Sequence, residues 1–269
     1  MDSKLQDFLE VIWKESGKGK NKLSGSEIYS YYSGGKFGSA IAAGKYGSAY
    51  GKDARGISQS RHEHNMKSIG KRLVEDFQVR HPNETDMIDF LKGFYPRKNS
   101  GDWYFDSMNG GKSTTHRMYI NTISEKVRKL IQCLVLEEKI LEIPGVNSLK
   151  VARDPEMIDA HFDPVVLYAT LAGIKSADPV MRKVYLAHKS YFVNGIPMLA
   201  QPVSPLKGVG WAMEPKNSKG NKSFGSCSCK AISDALEKAK PNDWDGFLKN
   251  TQTEYEGIGY NVEKCHTTI

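Results

Sequence analysis

The apolar residues of this chain change their spacing once, near residue 95, and that change limits the fold more than any other feature. Before it, apolar side chains recur at helical intervals: Leu5, Phe8, Leu9, Ile12 and Trp13 in residues 2–15, then Met66, Ile69, Leu73, Val74 and Phe77 in residues 58–79. Such stripes predict amphipathic helices. A short aromatic helix or turn is expected at 27–32. A further helix is expected at 84–92, capped by Asn83 and carrying acidic residues in its first turn. Beyond residue 95, residues 102–107 and 116–121 alternate as strands do. The turn signal Met108-Asn109-Gly110-Gly111 between them predicts an antiparallel hairpin. More strands are expected at 147–152, 165–171 and 197–201, and helices at 123–136, 154–160, 178–188 and 226–239, with 226–239 the last. Helices first and a mixture afterwards predict an α+β protein, a helical N-terminal part packed on a mostly antiparallel sheet with flanking helices. The implied division is a helical region at 1–95, with a Gly-rich loop at 33–56, and an α+β domain at 96–269.

The Gly-rich loop contains a near-repeat, Gly35-Lys36-Phe37-Gly38-Ser39-Ala40 and Gly44-Lys45-Tyr46-Gly47-Ser48-Ala49. Glycine at this density resists regular structure because ordering it costs extra backbone entropy. It reads either as a surface loop or as a lid whose lysines and backbone amides close over an anion.

The composition of the whole 269-residue chain excludes several classes. Hydrophobic residues make up 39%, an ordinary globular value for a chain long enough to bury a core without metal or disulfide staples. No apolar run approaches the ~20 residues of a bilayer helix. Residues 130–141 come nearest and are broken by Gln132, Glu137, Glu138 and Lys139. The first fifteen residues carry charges throughout and lack the apolar core and cleavage site of a signal peptide. Cys133, Cys227, Cys229 and Cys265 are too sparse for a disulfide framework, so reduced thiols in a cytoplasmic protein are expected. The net charge of +7, from 38 basic and 31 acidic residues, favours anionic partners.

Local motifs narrow the chemistry by elimination. Gly110-Gly111-Lys112-Ser113 resembles the end of a phosphate-binding P-loop, but Asp106 stands where the first glycine belongs. His62 and His64, two residues apart on a helix, point away from each other and cannot share an ion, so a solvated helix start is expected there. No Gly-x-Ser-x-Gly elbow is present. Basic residues are scattered without a recognition-helix module, so nucleic acid is not an expected partner. Neither a metal nor a cofactor is implied.

Three ordered pieces of the C-terminal half each place a polar or cationic side chain beside a buried-looking strand. The first is His116-Arg117-Met118-Tyr119-Ile120-Asn121. The second is Leu149-Lys150-Val151 with Phe162-Asp163-Pro164-Val165-Val166-Leu167-Tyr168. The third is Pro197-Met198-Leu199, then Gly208-Val209-Gly210-Trp211-Ala212-Met213-Glu214-Pro215, then Ser223-Phe224-Gly225 at a helix start. The amides at such a start are a natural anion site.

In this order, the pieces resemble the HopA-type family, which contains a plant-pathogen type III effector and many bacterial relatives. Some relatives are lyase subunits in class V lanthipeptide and thioamitide biosynthesis. The resemblance runs over residues 90–259, with weaker likeness at Ile28-Tyr29-Ser30-Tyr31-Tyr32 and Gly101-Asp102-Trp103-Tyr104. More distantly, Arg117-Met118-Tyr119, Lys150 and Tyr168 resemble the base-acid, lysine and tyrosine strands of phosphothreonine lyases. The resemblance implies elimination of phosphate from phosphoserine or phosphothreonine in a peptide, giving dehydroalanine or dehydrobutyrine. The alternative is a non-catalytic member, an effector or binding protein that grips an acidic or phosphorylated partner. The implied partner is a phosphorylated precursor peptide, with a separate kinase, or a host phosphoprotein. The implied place of action is the cytoplasm, or a host cell into which an effector is secreted.

That chemistry needs a base for the α-proton, an acid for the leaving phosphate and cations for the dianion. Lys150 is the candidate base, provided its pKa falls from about 10.4. Tyr119 or His161 is the candidate acid. Arg117 and Lys207 are candidates to grip phosphate, Asp163 and Tyr168 to orient the site, and Ser223 and Gly225 to present amides. The sequence departs from the family where relatives tend to carry arginine and this chain has His161 and Ser228. Arg117 and Tyr119 also stand at the lysine–histidine pair of the phosphothreonine lyases.

Overall fold

The computed structural model describes residues 1–34, 57–107, 114–215 and 223–267. The Gly-rich near-repeat and the turn carrying Lys112 lie outside the described residues. Seven strands form one sheet: β1 (Arg97–Asn99), β2 (Asp102–Asp106), β3 (His116–Ile120), β4 (Val146–Val151), β5 (Val165–Ala169), β6 (Gln201–Pro202) and β7 (Val209–Met213). Their order is β1-β2-β4-β5-β3-β7-β6 and every neighbouring pair is antiparallel. The expected α+β class therefore holds.

Side chains alternate across a strand, so each strand feeds two layers. One face presents Trp103, Phe105, Met118, Ile120, Leu149, Val151, Val165, Leu167 and Val209 to a large apolar core. Helices α3 (Gln59–Arg80), α5 (Ser124–Gln132, continued by a π-helical turn Cys133–Glu137) and α7 (Leu171–Ala187) close that core. The opposite face presents Tyr119, Val166 and Ala212 to a second core. This one is closed by α1 (Ser3–Glu15), α2 (Gly25–Tyr32), α8 (Phe224–Lys238) and α9 (Trp244–Gly257). Two short α-helices, α4 (Thr85–Phe94) and α6 (Pro155–Ala160), and two 3₁₀ turns, Ile140–Glu142 and Lys189–Tyr191, complete the described helices. Residues 1–95 thus contribute to both cores, α1 and α2 on one side of the sheet and α3 on the other.

Local rules account for the element ends. Ser24 and Glu27 form a reciprocal capping box at the start of α2. The Ser58, Thr170 and Ser223 side chains cap α3, α7 and α8.

Several sequence expectations are corrected. β2 and β3 do not form a hairpin: β4 and β5 lie between them. The turn signal described a reversal of the chain, and burial of the strands between partners on both edges decided the pairing. The strand expected at 197–201 is β6, two residues long and at the sheet edge. α7 begins at Leu171, not Asp178, and carries Pro179 inside it because Ile174, Ala177, Met181 and Val184 bury one continuous stripe. Glu84, without a side-chain cap bond, takes the cap position of α4 that Asn83 was expected to hold. α9 follows the helix expected to be last. His62 is not solvated; it is fully buried, 3.1 Å from the Ala152 carbonyl. All four cysteines are free and buried.

Candidate functional site

Two rows of side chains cross the second face of the sheet. The register places Tyr104, Lys150, Val166, Tyr119 and Gly210 side by side, and Asp106, Ser148, Tyr168, Arg117 and Ala212 in the row beside it. The Tyr119 end of this face is covered by α2 and α8, whereas Lys150, Tyr168 and Arg117 form a polar patch.

The patch is held by stacking and ion pairs. The Arg117 guanidinium lies 4.6 Å from the centroid of the Tyr168 ring. Tyr168 stacks on Tyr104 at 6.3 Å, diagonally across the intervening strand β4, where Tyr104 faces Lys150 and Tyr168 faces Ser148. On the far side of Tyr104 lies Arg97, 4.5 Å from the ring centroid and paired in bidentate fashion with Asp106 at 2.8 and 3.1 Å. Two stacked rings thus lie between two cations across the sheet, each interaction adding about 0.5–2 kcal/mol.

Each central cation has a carboxylate. Arg117 pairs with Glu214, just past β7, and both side chains are about one-seventh exposed, 16% and 14%. Lys150 Nζ lies 3.4 Å from Asp102 Oδ2. The other carboxylate oxygen of Asp102 accepts the Arg153 amide at 3.0 Å, which fixes its orientation. Burial alone would push the Lys150 pKa down, but the surrounding Tyr168, Asp163, Asp102 and Tyr104 outweigh it and the net direction is up. The Asp163 and Asp102 carboxylates favour the protonated, charged lysine. The neutral lysine required of a resting base is not what these surroundings favour.

Asp163 sits at the entry to β5, where it accepts a hydrogen bond from the Tyr29 hydroxyl at 3.3 Å. Its carboxylate, and then burial, hold the Tyr29 pKa well above the usual phenol value. His161 Nδ1 is 3.8 Å from the other Asp163 oxygen, at the rim of the patch. Tyr119 is 2% exposed; its hydroxyl meets that of Tyr32 at 3.5 Å, and burial pushes its pKa up to about 12.

The fold therefore brings together Arg117, Lys150, Asp163 and Tyr168, with Tyr119 beneath them and His161 beside them. Lys207 stands apart. It is exposed beyond the opposite end of β7, in a cleft of about 430 Å³ that it shares with Lys4 and Asp7. Ser223 is occupied in capping the Ser226 amide at 3.2 Å. Gly225 is a packing residue: a Cβ there would run into the Tyr32 ring. Ser228, where relatives tend to carry arginine, is fully buried next to Tyr255.

Sequence reasoning missed Asp102, Tyr104, Tyr29 and Glu214 as members of the patch. The alternation Asp102-Trp103-Tyr104-Phe105-Asp106 carried a signal for two of them, a polar side opposite a buried side. For Glu214, only the register reveals it.

A family model for the HopA1 effector protein family matches residues 95–266. Among curated proteins none matches. Two solved structures share the fold. One is an effector protein from Pseudomonas syringae pv. tomato strain DC3000, with 17% identity and a TM-score of 0.61, covering 99% of this chain and 98% of that one. The other is an effector protein from Pseudomonas syringae pv. syringae strain 61, with 15% identity and a TM-score of 0.64, covering 98% and 97%.

Proposed function

The chain belongs to the HopA1 effector protein family, and from that premise we propose that it binds a phosphorylated serine or threonine side chain of a partner peptide on the polar patch. The observation that carries this reading is the pair Arg117 and Lys150, both charged, both partly buried and both on one face of the sheet. The carboxylates beside them make the patch an exchange site. A phosphate dianion offers each cation a doubly charged partner in place of, or beside, Glu214 and Asp102. Arg117 supplies a planar fork, pre-oriented by the Tyr168 ring, and Lys150 a point charge. Membership of an effector family favours a host phosphoprotein as the partner and a host cell as the place of action. A precursor peptide phosphorylated by a separate kinase is the other source of the same group.

Elimination of the bound phosphate is a second reading, favoured by one observation: the arginine, lysine and tyrosine strands that resemble those of phosphothreonine lyases lie side by side. In that reaction a base takes the α-proton, the Cβ–O bond breaks, and phosphate leaves with the electron pair. Lys150 serves as the base only after giving up its own proton, so the rate of this reaction climbs with pH from neutral into the alkaline range.

One experiment addresses both readings. Phosphoserine and phosphothreonine peptides and their unphosphorylated forms are titrated by fluorescence anisotropy, and the same mixtures are weighed by mass spectrometry. The expected result is a phosphate-dependent affinity that falls about tenfold in Arg117→Gln and in Lys150→Gln. A peptide lighter by one phosphoric acid adds the lyase reading. Equal affinity for phosphorylated and unphosphorylated peptides overturns both.

A further inference from the structure

Away from the patch, three potential metal ligands of different chemistry converge from the two ends of the sequence. Asp2, Cys265 and His266 each offer one donor atom, and the three donors lie within 4.8 Å of one another. We propose that Asp2, Cys265 and His266 form a binding site for a divalent transition-metal cation, zinc foremost.

The chemistry of the donor set supports zinc. A thiolate, an imidazole and a carboxylate together suit a borderline-soft ion and not calcium or magnesium, which take oxygen ligands. Three protein ligands leave a fourth tetrahedral position for water. Bond lengths of about 2.0–2.3 Å place tetrahedral donors about 3.3–3.6 Å apart, so the three groups need to close by roughly 1 Å. On binding, the Cys265 thiol loses its proton to solvent. The thiolate and the Asp2 carboxylate then balance the charge of the dication, and His266 binds as the neutral ring.

The surroundings hold the ligands in place, and the Cys265 thiol already hydrogen-bonds to Asp2 within the cluster. Cys265 is fully buried, its sulfur 3.5 Å from the Leu199 carbonyl. His266 packs edge-on against the Trp211 ring at 5.0 Å. Asp2 spends one oxygen on the Lys4 amide as the cap of α1, at 2.9 Å, and its other oxygen is not engaged in that cap. Lys4 is the cation nearest the cluster, and its ammonium is bonded to the Ala200 carbonyl at 2.9 Å.

A metal here would clamp the start of α1 to residues 265–266. The backbone carries that clamp further, because the His266 carbonyl accepts the Met213 amide at 2.9 Å, one residue before Glu214. Metal binding would therefore brace the end of β7, whose next residue pairs with Arg117.

The test uses untagged full-length protein, freed of metal by chelation and titrated with Co²⁺. The expected result is one equivalent of Co²⁺ bound with a thiolate-to-cobalt charge-transfer absorption, displaced by Zn²⁺. At roughly 100-fold excess over its Kd, Zn²⁺ should raise Tm by about 5 °C. Cys265→Ser should abolish the absorption. Asp2→Asn retains a good helix cap and so the fold, and should weaken Co²⁺ binding about tenfold through loss of one charged ligand. Absence of the charge-transfer absorption, or its undiminished retention in folded Asp2→Asn and His266→Gln proteins, overturns the proposal.

Discussion

The two faces of the sheet are made by the same strands and differ in what covers them. On the first face, residues such as Phe105, Leu149 and Leu167 are completely buried under α3, α5 and α7. On the second, α2 and α8 cover Tyr119 and Val166, but the strands continue into Lys150, Tyr168 and Arg117, which answer one another with charge and ring stacking. One face spends its side chains on excluding water. The other keeps cations partly dehydrated and in fixed positions, which is the condition under which a charge discriminates between ligands. Stability and recognition are therefore separated by nothing more than the parity of a residue along its strand.

That separation can be broken most severely from the sealed side. Phe105→Ala removes a fully buried ring and should cost about 3–5 kcal/mol in chemical denaturation, with no specific effect on phosphopeptide affinity in the molecules that remain folded. A smaller effect is expected on the polar side. Glu214→Ala leaves Arg117 partly buried without its carboxylate and should cost about 1–3 kcal/mol. Because the same change frees the guanidinium, phosphopeptide affinity should rise as stability falls. A fall in both would contradict the exchange picture.

pH sharpens the comparison further. Lys150 has its pKa raised above the ordinary 10.5 by the acidic groups around it. Its contribution to stability is then fully present below pH 10.5 and is lost as the pH climbs towards the folded value. Denaturation midpoints should be flat towards pH 10 and fall beyond it, less steeply in Lys150→Met. His62 reports the opposite direction from the other side of the sheet. Burial lowers its pKa below the ordinary 6.5. Its contribution is present above pH 6.5 and is lost as the pH falls and the unfolded chain takes up the proton first. His62→Gln should flatten that acid limb, the smallest effect of the four.

Much of this was legible in the sequence, and the losses have physical causes. Period-two alternation marked β2 and β3, and helical stripes marked α1, α3 and α5, because burial of one side imposes those periods. Arg117, Lys150, Asp163 and Tyr168 could be chosen together because each sits on or beside a segment read as a strand. Strand neighbours could not be read. Gly110 and Gly111 announce a reversal between β2 and β3, yet nothing local says that β4 and β5 will enter between them. The charge state of Lys150 was lost for the same reason, since Asp102 reaches it from β2 only through the register. Lys207 was drawn into the site by its sign alone, and the fold puts it at the far end of β7. α9 escaped because its glycine, asparagine and threonines dilute a stripe that Phe247, Thr251 and Tyr255 nonetheless bury.

The sheet order also sets a schedule. β3 acquires one neighbour from β5 and the other from β7, whose residues 209–213 follow it by some ninety positions. α1 and α2 wait longer still for α8 and α9 to close their core. Pairing between such distant segments carries a loop-closure penalty before any contact compensates it, which slows folding. A chain emerging from a ribosome, or threaded through any passage in an extended state, cannot complete this sheet piecemeal. Until residues 224–257 arrive, α2 has no α8 and α9 to pack with over Tyr119 and Val166, and that face of the sheet stays open.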